Sequence, residues 1–272
     1  MKKGEMGVKE VLSMWRHTKM VVLVALSAGI YAAVLIPFKG LVLIPGITEI
    51  RPANTLPPVL GLLFGPAGAW GSAIGNLIGD FFGTLGIGSI FGFIGNFMQA
   101  YIPYRLWRNL GLLRADDLEP NLNSGRKIFA YTVVALLGSF ACALTIGWGL
   151  DLLKMVPFAA LASIIAVNNS IPSIVLGIPL LMILYPRVKK WNLLWTDIME
   201  EDEISKPDAK ARIAALITSL AILVGLFGGL MAAVAGGQSL FAAGFAGGKA
   251  GLASVGFIAG LSTIIFILAS LL

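Results

Sequence analysis

The sequence has few charged residues, one cysteine and one histidine. Of its 272 residues, only 12% are charged, whereas 57% are hydrophobic. The single cysteine, Cys142, cannot form an internal disulfide, so the redox compartment stays open, and we interpret it as a packing residue. His17 is interpreted as a solvated residue of the basic N-terminal segment. Metal catalysis and a nucleophile–histidine–acid triad are therefore poorly supported, and we predict no enzyme, no metal and no cofactor.

The apolar runs are long, continuous and numerous. The mean hydropathy is +0.88, which no soluble globular domain shows. The runs are too many for a signal peptide, and a β-barrel would show alternating ten-residue segments instead. We therefore predict an all-α membrane protein that crosses the lipid bilayer several times.

The apolar runs predict eight spans. The second and third meet at Gly65-Pro66, where proline cannot continue a helix without the loss of a hydrogen bond. An alternative keeps a single span there and gives seven crossings. The approximate bounds are 20–37, 55–67, 68–85, 88–106, 127–149, 157–185, 212–235 and 250–272.

The distribution of basic residues favours eight spans. With the N-terminus inside, 16 of the 20 Lys and Arg residues face the cytoplasm, which is the positive-inside pattern. Seven crossings would place the first group of basic residues on the side opposite the others and remove this bias. We therefore predict that both termini are cytoplasmic. The basic residues are scattered between apolar runs, which argues against a nucleic-acid partner. The four that would face outward are Lys39, Arg51, Lys154 and Lys249.

Composition divides the chain into three parts. Residues 1–190 are predicted to form a six-helix membrane core. Residues 191–211 contain the acidic run MEEDEISKPDAK and are interpreted as a solvated cytoplasmic linker. Residues 212–272 form a two-helix extension, rich in Gly and Ala, which we interpret as a packing element.

Small residues recur at four-residue spacing in two spans, and this spacing lets membrane helices approach closely. In the third span they are Gly71, Gly75, Gly79 and Gly83, which predicts a helix in the centre of the bundle. In the first span they are Ala25, Gly29 and Ala33 on one face, with Ala28 and Ala32 on the adjacent face. We call these five residues the first-helix strip. The residues alone leave it open whether the strip packs internally or docks another membrane subunit.

Polar residues near the predicted outer side indicate a ligand site. Asp80 is the only acid within a span, and such a residue is a functional-site hypothesis by default. The alternative is interhelical hydrogen bonding, worth about 0.6–2 kcal/mol for each group. The apolar outer loop 38–56 is expected to fold back as a lid over an outward-opening cavity. The candidate ligand-binding residues are Glu49, Arg51, Asp80, Asn96, Gln99, Trp148, Asp151, Asn168 and Asn169.

The chain has no sequence that would hydrolyse ATP. GFAGGKAG contains Gly-Gly-Lys, but Ala250 replaces the required Ser or Thr, and the preceding glycine spacing fails. Transport would therefore need ion coupling within this chain or an energising partner.

The stretch RPANTLPPVLGLLFGPAGAWGSAIGNLIGD, the first-helix strip and the apolar first outer loop together resemble the S component of energy-coupling-factor (ECF) transporters, over about residues 15–190. The resemblance implies a prokaryotic plasma-membrane protein that binds a vitamin-like micronutrient from outside. It also implies docking of the first-helix strip on a transmembrane T component driven by two cytoplasmic ATPase subunits. It further implies ligand contacts from outer loops one, three and five and from helices four and six, a set that adds Asn54 to the candidates. Typical members end after six helices, so the resemblance leaves residues 212–272 unexplained. It stays open whether they shape the pocket, mediate an added contact or mark a distinct subfamily.

Two other functions stay open. An ion-coupled secondary transporter or channel would use Asp80 as a proton or cation site, although no inverted repeat is evident. A scaffold protein would use its polar groups only for helix association. The ligand itself is open among cobalamin-like, deazapurine-like and other vitamin-like molecules.

Overall fold

The computed structural model describes residues 6–45, 47–114, 116–205 and 207–272, which are mostly helical. Two short strands, β1 (Val42–Ile44) and β2 (Thr48–Glu49), pair antiparallel between the second and third helices. The helices are α1 (Met6–Ser13), α2 (Thr18–Leu35), α3 (Leu56–Phe64), α4 (Pro66–Asp80), α5 (Ser89–Asn109), α6 (Gly125–Leu152), α7 (Phe158–Val175), α8 (Gly177–Lys190), α9 (Trp195–Ile198), α10 (Ala209–Leu223), α11 (Gly229–Ala235) and α12 (Ala253–Ser270).

The lengths and compositions of the helices agree with an all-α membrane protein. Within the described ranges, five helical segments are long and apolar enough to cross a bilayer. The eight-crossing topology and the cytoplasmic side of the termini stay predictions. The five segments are Thr18–Phe38, Gly125–Leu152, Phe158–Val175, Ala209–Ala235 and Ala253–Ser270.

Two of the predicted spans are interrupted in the structure. The predicted span 157–185 is divided into α7 and α8, with Leu176 between them. The predicted span 212–235 contains a π-helical turn at Val224–Gly228, where an added Cβ on Gly225 would lie 2.6 Å from Leu144 Cδ2. The π turn therefore sits where the extension packs closely on the core.

The chain reverses direction between α3 and α4. Gly65 has φ +57°, and a Cβ on Gly68 would lie only 2.2 Å from the carbonyl oxygen of Leu60. In one straight helix, residues eight apart would be separated by about 12 Å. A single continuous span over 55–85 is therefore wrong. With nine residues, α3 is about 14 Å long, which is too short to cross a bilayer core alone.

The glycines of α4 let α2 approach closely. A Cβ on Gly71 would lie 2.3 Å from Ser27 Cβ, and one on Gly75 would lie 2.7 Å from the carbonyl oxygen of Ala28. The predicted close packing of this helix is thus confirmed at these positions. Gly83 differs, because it lies beyond α4 with φ +140° and has open space around it.

Substitution of Gly71 by valine should destabilise the protein, because the new side chain would overlap α2. Overpacking of this kind costs about 1–3 kcal/mol. We expect a lower melting temperature in detergent. The matched control is Gly29→Val in α2, where an added Cβ meets nothing within 4 Å. Equal melting temperatures for the two variants would contradict this packing.

The N-terminal helix, the linker and the C-terminal helix meet at one end of the bundle. Arg105 donates from Nε to the carbonyl oxygen of Ser270 (3.0 Å) and from Nη1 to Glu10 Oε2 (3.1 Å). The backbone N–H of Ser205 also donates to Glu10 Oε1 (2.5 Å). Residues near both termini therefore share one end of the bundle, as an even number of crossings requires.

The linker is packed in part rather than fully solvated. Glu203 is largely buried, and its Oε2 lies 2.6 Å from His17 Nε2, so the interpretation of His17 as a solvated residue is wrong. Burial raises the pKa of Glu203, but hydrogen bonds from His17 and the Glu200 backbone lower it more, so the net pKa lies below its usual value. The contact therefore stabilises the fold at neutral pH and weakens as the pH falls through that lowered pKa.

Candidate ligand-binding site

A cavity of about 200 Å³ lies at the end of the bundle away from the termini. It is lined by the loop that carries β1 and β2, by α4 and the turn after it, and by α5, α6 and α7. The loop folds back onto the bundle, as expected. A cavity of about 150 Å³ is enough to hold benzene, so this volume suits a compact ring system. Its main polar lining residues are Arg51, Asn76, Asp80, Thr84, Ser89 and Asn169.

Four buried charged groups form a neutral cluster beside the cavity. Glu49 Oε1 lies 3.1 Å from Lys39 Nζ and 2.9 Å from Arg51 Nε. Lys39 Nζ also lies 3.6 Å from Asp80 Oδ1. Two positive and two negative groups therefore balance, which is the condition under which charges are tolerated in a dry interior.

Asp80 is the acid that faces the cavity. Thr84 Oγ1 donates to its Oδ1 (2.9 Å), while Asn76 Nδ2 reaches Oδ2 only at 3.3 Å. Its ion pair with Lys39 is also long, at 3.6 Å. A carboxylate has about four lone-pair positions, so Asp80 keeps acceptor capacity for a ligand in the cavity.

Gly92 keeps the space in front of Asp80 open. A Cβ at this position would lie 3.2 Å from Asn76 Nδ2 and 3.7 Å from Asp80 Oδ2. Gly92 itself belongs to the cavity wall. A side chain here would fill the space through which a ligand reaches the carboxylate.

Arg51 is held on several sides and still lines the cavity. Its Nη1 donates to Asn76 Oδ1 (2.9 Å), and its Nε pairs with Glu49. Asn168 fixes the backbone around it, because Oδ1 accepts from the Arg51 N–H (3.3 Å) and Nδ2 donates to the Glu49 carbonyl oxygen (2.7 Å). Asn168 thus ties the outer loop to α7.

Behind the cavity wall, four predicted amides form a hydrogen-bonded network with Tyr31. Asn54 Nδ2 donates to Asn169 Oδ1 (2.5 Å), and Asn169 Nδ2 donates to Gln99 Oε1 (3.1 Å). The Tyr31 hydroxyl lies 2.7 Å from Asn54 Oδ1 and 2.9 Å from Asn96 Oδ1. Among these residues Asn169 lines the cavity, and the others orient it from behind.

Trp148 and Asp151 do not line this cavity. Trp148 packs edge-on against Phe91 and touches Gly260 of α12. Asp151 Oδ1 accepts the backbone N–H of Phe158 (2.9 Å) at the start of α7. Both side chains contact neighbouring helices at this end of the bundle.

The first-helix strip is half buried. Ala25, Gly29 and Ala33 are exposed on the surface of α2, whereas Ala28 and Ala32 are buried, Ala28 against Gly71 and Gly75 of α4. Our docking proposal therefore rests on the three exposed residues. We call the three exposed residues the open strip.

Sequence reasoning missed several residues of this site. Lys39 was counted only as a topology charge, and Cys142 was interpreted as packing, yet Cys142 lies in the cavity wall. Thr84 follows Asp80 by four residues, a spacing that could have indicated its hydrogen bond. Among the described residues, no group of three or more His, Cys, Asp or Glu side chains is arranged to hold a metal ion.

Comparison with known families finds a match to the QueT transporter family over residues 21–186, which is more than half of the chain. No curated protein and no solved structure matches the chain. The matched range includes every polar residue of the cavity and ends before the linker and the extension.

Proposed function

Because the chain belongs to the QueT transporter family, whose members are ECF S components for queuosine precursors, we propose that it captures a compact deazapurine nutrient in this cavity. The family and the apolar helices make it a multi-pass membrane transport protein. In this proposal the ligand enters from outside, beneath the loop that carries β1 and β2.

The single observation that carries the ligand class is the underused Asp80 carboxylate beside the gap left by Gly92. Queuosine contains a 7-deazaguanine ring, whose ring N–H and exocyclic amino group form an edge with two donors. A carboxylate accepts such a pair of donors in parallel. Arg51 has five N–H donors on its guanidinium and can donate a hydrogen bond to the ring carbonyl oxygen, which lies next to the ring N–H. A neutral ring also preserves the charge balance of the cluster.

The apolar part of the wall supports a flat ligand body. Ile146 and Leu150 of α6, Met155 of the following turn and Ile165 of α7 line the cavity beside the polar groups. Ligand pockets usually combine apolar walls with a few placed polar groups. In our proposal the apolar side chains cover the ring faces, while Asp80, Arg51 and Asn169 bind its edges.

The open strip supports docking on a T component driven by two ATPase subunits. Ala25, Gly29 and Ala33 lie on a helix whose outer face is uncovered in this chain. Small side chains let a second membrane helix approach closely. The chain lacks a phosphate-binding loop, so in this proposal the energy for release comes from the partners.

Reconstitution in liposomes tests the proposal. Vesicles with this chain, the T subunit and both ATPases should accumulate labelled 7-deazaguanine only when ATP is supplied to the ATPases. Vesicles with this chain alone should bind but not accumulate it. Gradient-driven accumulation by the chain alone would instead support the ion-coupled transporter, with Asp80 as its proton or cation site.

A further inference from the structure

The N-terminus of α7 is capped from two distant parts of the chain. The preceding Pro157 has no side-chain acceptor, so the first free N–H groups of the helix need other partners. The N–H of Phe158 donates to Asp151 Oδ1 at the end of α6 (2.9 Å). The N–H of Ala159 donates to Gln238 Oε1 (2.9 Å), which lies 79 residues further along the chain, in the extension.

Gln238 is buried and uses both ends of its amide. Its Nε2 donates to Asp151 Oδ1 (3.0 Å) and to the carbonyl oxygen of Lys249 (2.9 Å), while its Oε1 accepts from Ala159. One side chain therefore joins the end of α6, the start of α7 and the loop between α11 and α12.

The rest of that loop, residues 236–252, follows the same surface. The N–H of Phe241 donates to Ser163 Oγ (2.9 Å), one turn further along α7. A Cβ on Gly247 would lie 2.9 Å from Ala160 Cβ, and one on Gly251 would lie 2.9 Å from Lys154 Cγ. The loop therefore packs closely against the first turns of α7 and against the turn that precedes α7.

We infer that the extension supports the ligand site and that Gln238 is its positioning residue. α7 carries Asn169 in the cavity wall and Asn168, which holds the outer loop, and the turn before α7 supplies Met155. Fixing the start of α7 therefore fixes one wall of the cavity. The identity of the ligand rests on the proposed function, whereas the capping of α7 does not.

The test compares Gln238→Ala with Ser219→Ala in the full chain. Ser219 is also in the extension, but its hydroxyl bonds only to the carbonyl of Ala215 in its own helix. For Gln238→Ala we expect faster hydrogen exchange at the Phe158 and Ala159 amides and about fivefold weaker binding of 7-deazaguanine, the equivalent of one lost cap. Ser219→Ala should change neither.

Two further substitutions separate positioning from general stability. Gln238→Glu keeps an oxygen that accepts the N–H of Ala159 but cannot donate to Asp151 Oδ1 or to the carbonyl oxygen of Lys249, so it should not restore the lost affinity. If Gln238→Ala does not fold, Gln238→Asn, which keeps the amide but is one methylene shorter, replaces it.

The inference is overturned if Gln238→Ala lowers the melting temperature but leaves both the affinity and the exchange at the start of α7 unchanged. The extension would then be a packing element only. If the unmodified chain does not bind 7-deazaguanine, the proposed ligand fails, and the exchange comparison alone still decides whether Gln238 caps α7.

Discussion

Replacement of Gly29 by tryptophan should abolish ATP-driven uptake while ligand binding by the isolated chain is retained. Gly29 lies in the centre of the open strip, and an added Cβ there meets nothing within 4 Å in this chain. The indole should therefore leave the fold intact but prevent a helix of the T component from approaching closely. Uptake into liposomes and co-purification with the T subunit measure the effect.

Two further tryptophan variants make this result specific. Leu220→Trp, on an exposed part of α10, adds the same bulk to another lipid-facing helix and should transport normally. Ala28→Trp should instead lower the yield of folded protein, because Ala28 is covered by α4. Normal complex formation and transport by Gly29→Trp would show that the open strip is not the docking face.

Asp80→Asn should weaken the binding of 7-deazaguanine by about 10- to 100-fold. A hydrogen bond to a charged group contributes about 1.5–3 kcal/mol, and each 1.4 kcal/mol is a factor of ten. The amide also turns one acceptor into a donor, which would face the donors of the ligand. Calorimetric titration of the purified chain measures the change.

The matched control is Asp117→Asn. Asp117 pairs with Lys127 near the start of α6, at the opposite end of the bundle from the cavity, and its loss should leave the affinity unchanged. If both variants bind as tightly as the unmodified chain, Asp80 does not hold the ligand, and its carboxylate serves only the buried cluster with Lys39.

The parts of the fold that were predictable are those set by local sequence. Continuous apolar runs locate helices, and the four-residue spacing of Gly71 and Gly75 correctly indicated a helix packed closely in the bundle. The break at Gly65-Pro66 correctly indicated a chain reversal, because proline cannot continue a helix. The division between α7 and α8 was missed, since the apolar run continues through Leu176.

Residues of the cavity wall were predictable only where the residue type was costly in its surroundings. Arg51 and Asp80 are charged groups within or next to apolar runs. Because a charge is costly in the membrane, their presence indicates a candidate functional site. Trp148 and Asp151 were assigned to the site because of their position near an outer loop, but sequence does not show which way a side chain points. Gln238 was not found, since its partners are far away along the chain.

The first-helix strip shows the same limit at a surface. Small residues at helical spacing identify a face that permits close approach, but they do not say which neighbour uses it. In the structure Ala28 and Ala32 are buried, Ala28 against α4, while Ala25, Gly29 and Ala33 are exposed. Only the three-dimensional packing separates an internal contact from a candidate docking face.

The most direct measurement is a calorimetric comparison of two ligands on the purified chain: 7-deazaguanine and 7-deazahypoxanthine, which lacks the exocyclic amino group. A site built to accept that amino group should bind 7-deazaguanine tightly and the analogue about 10- to 100-fold more weakly, because a buried acceptor would be left unpaired. Equal affinities, or no binding of 7-deazaguanine, would contradict the assignment of this cavity to a deazapurine nutrient held by Asp80.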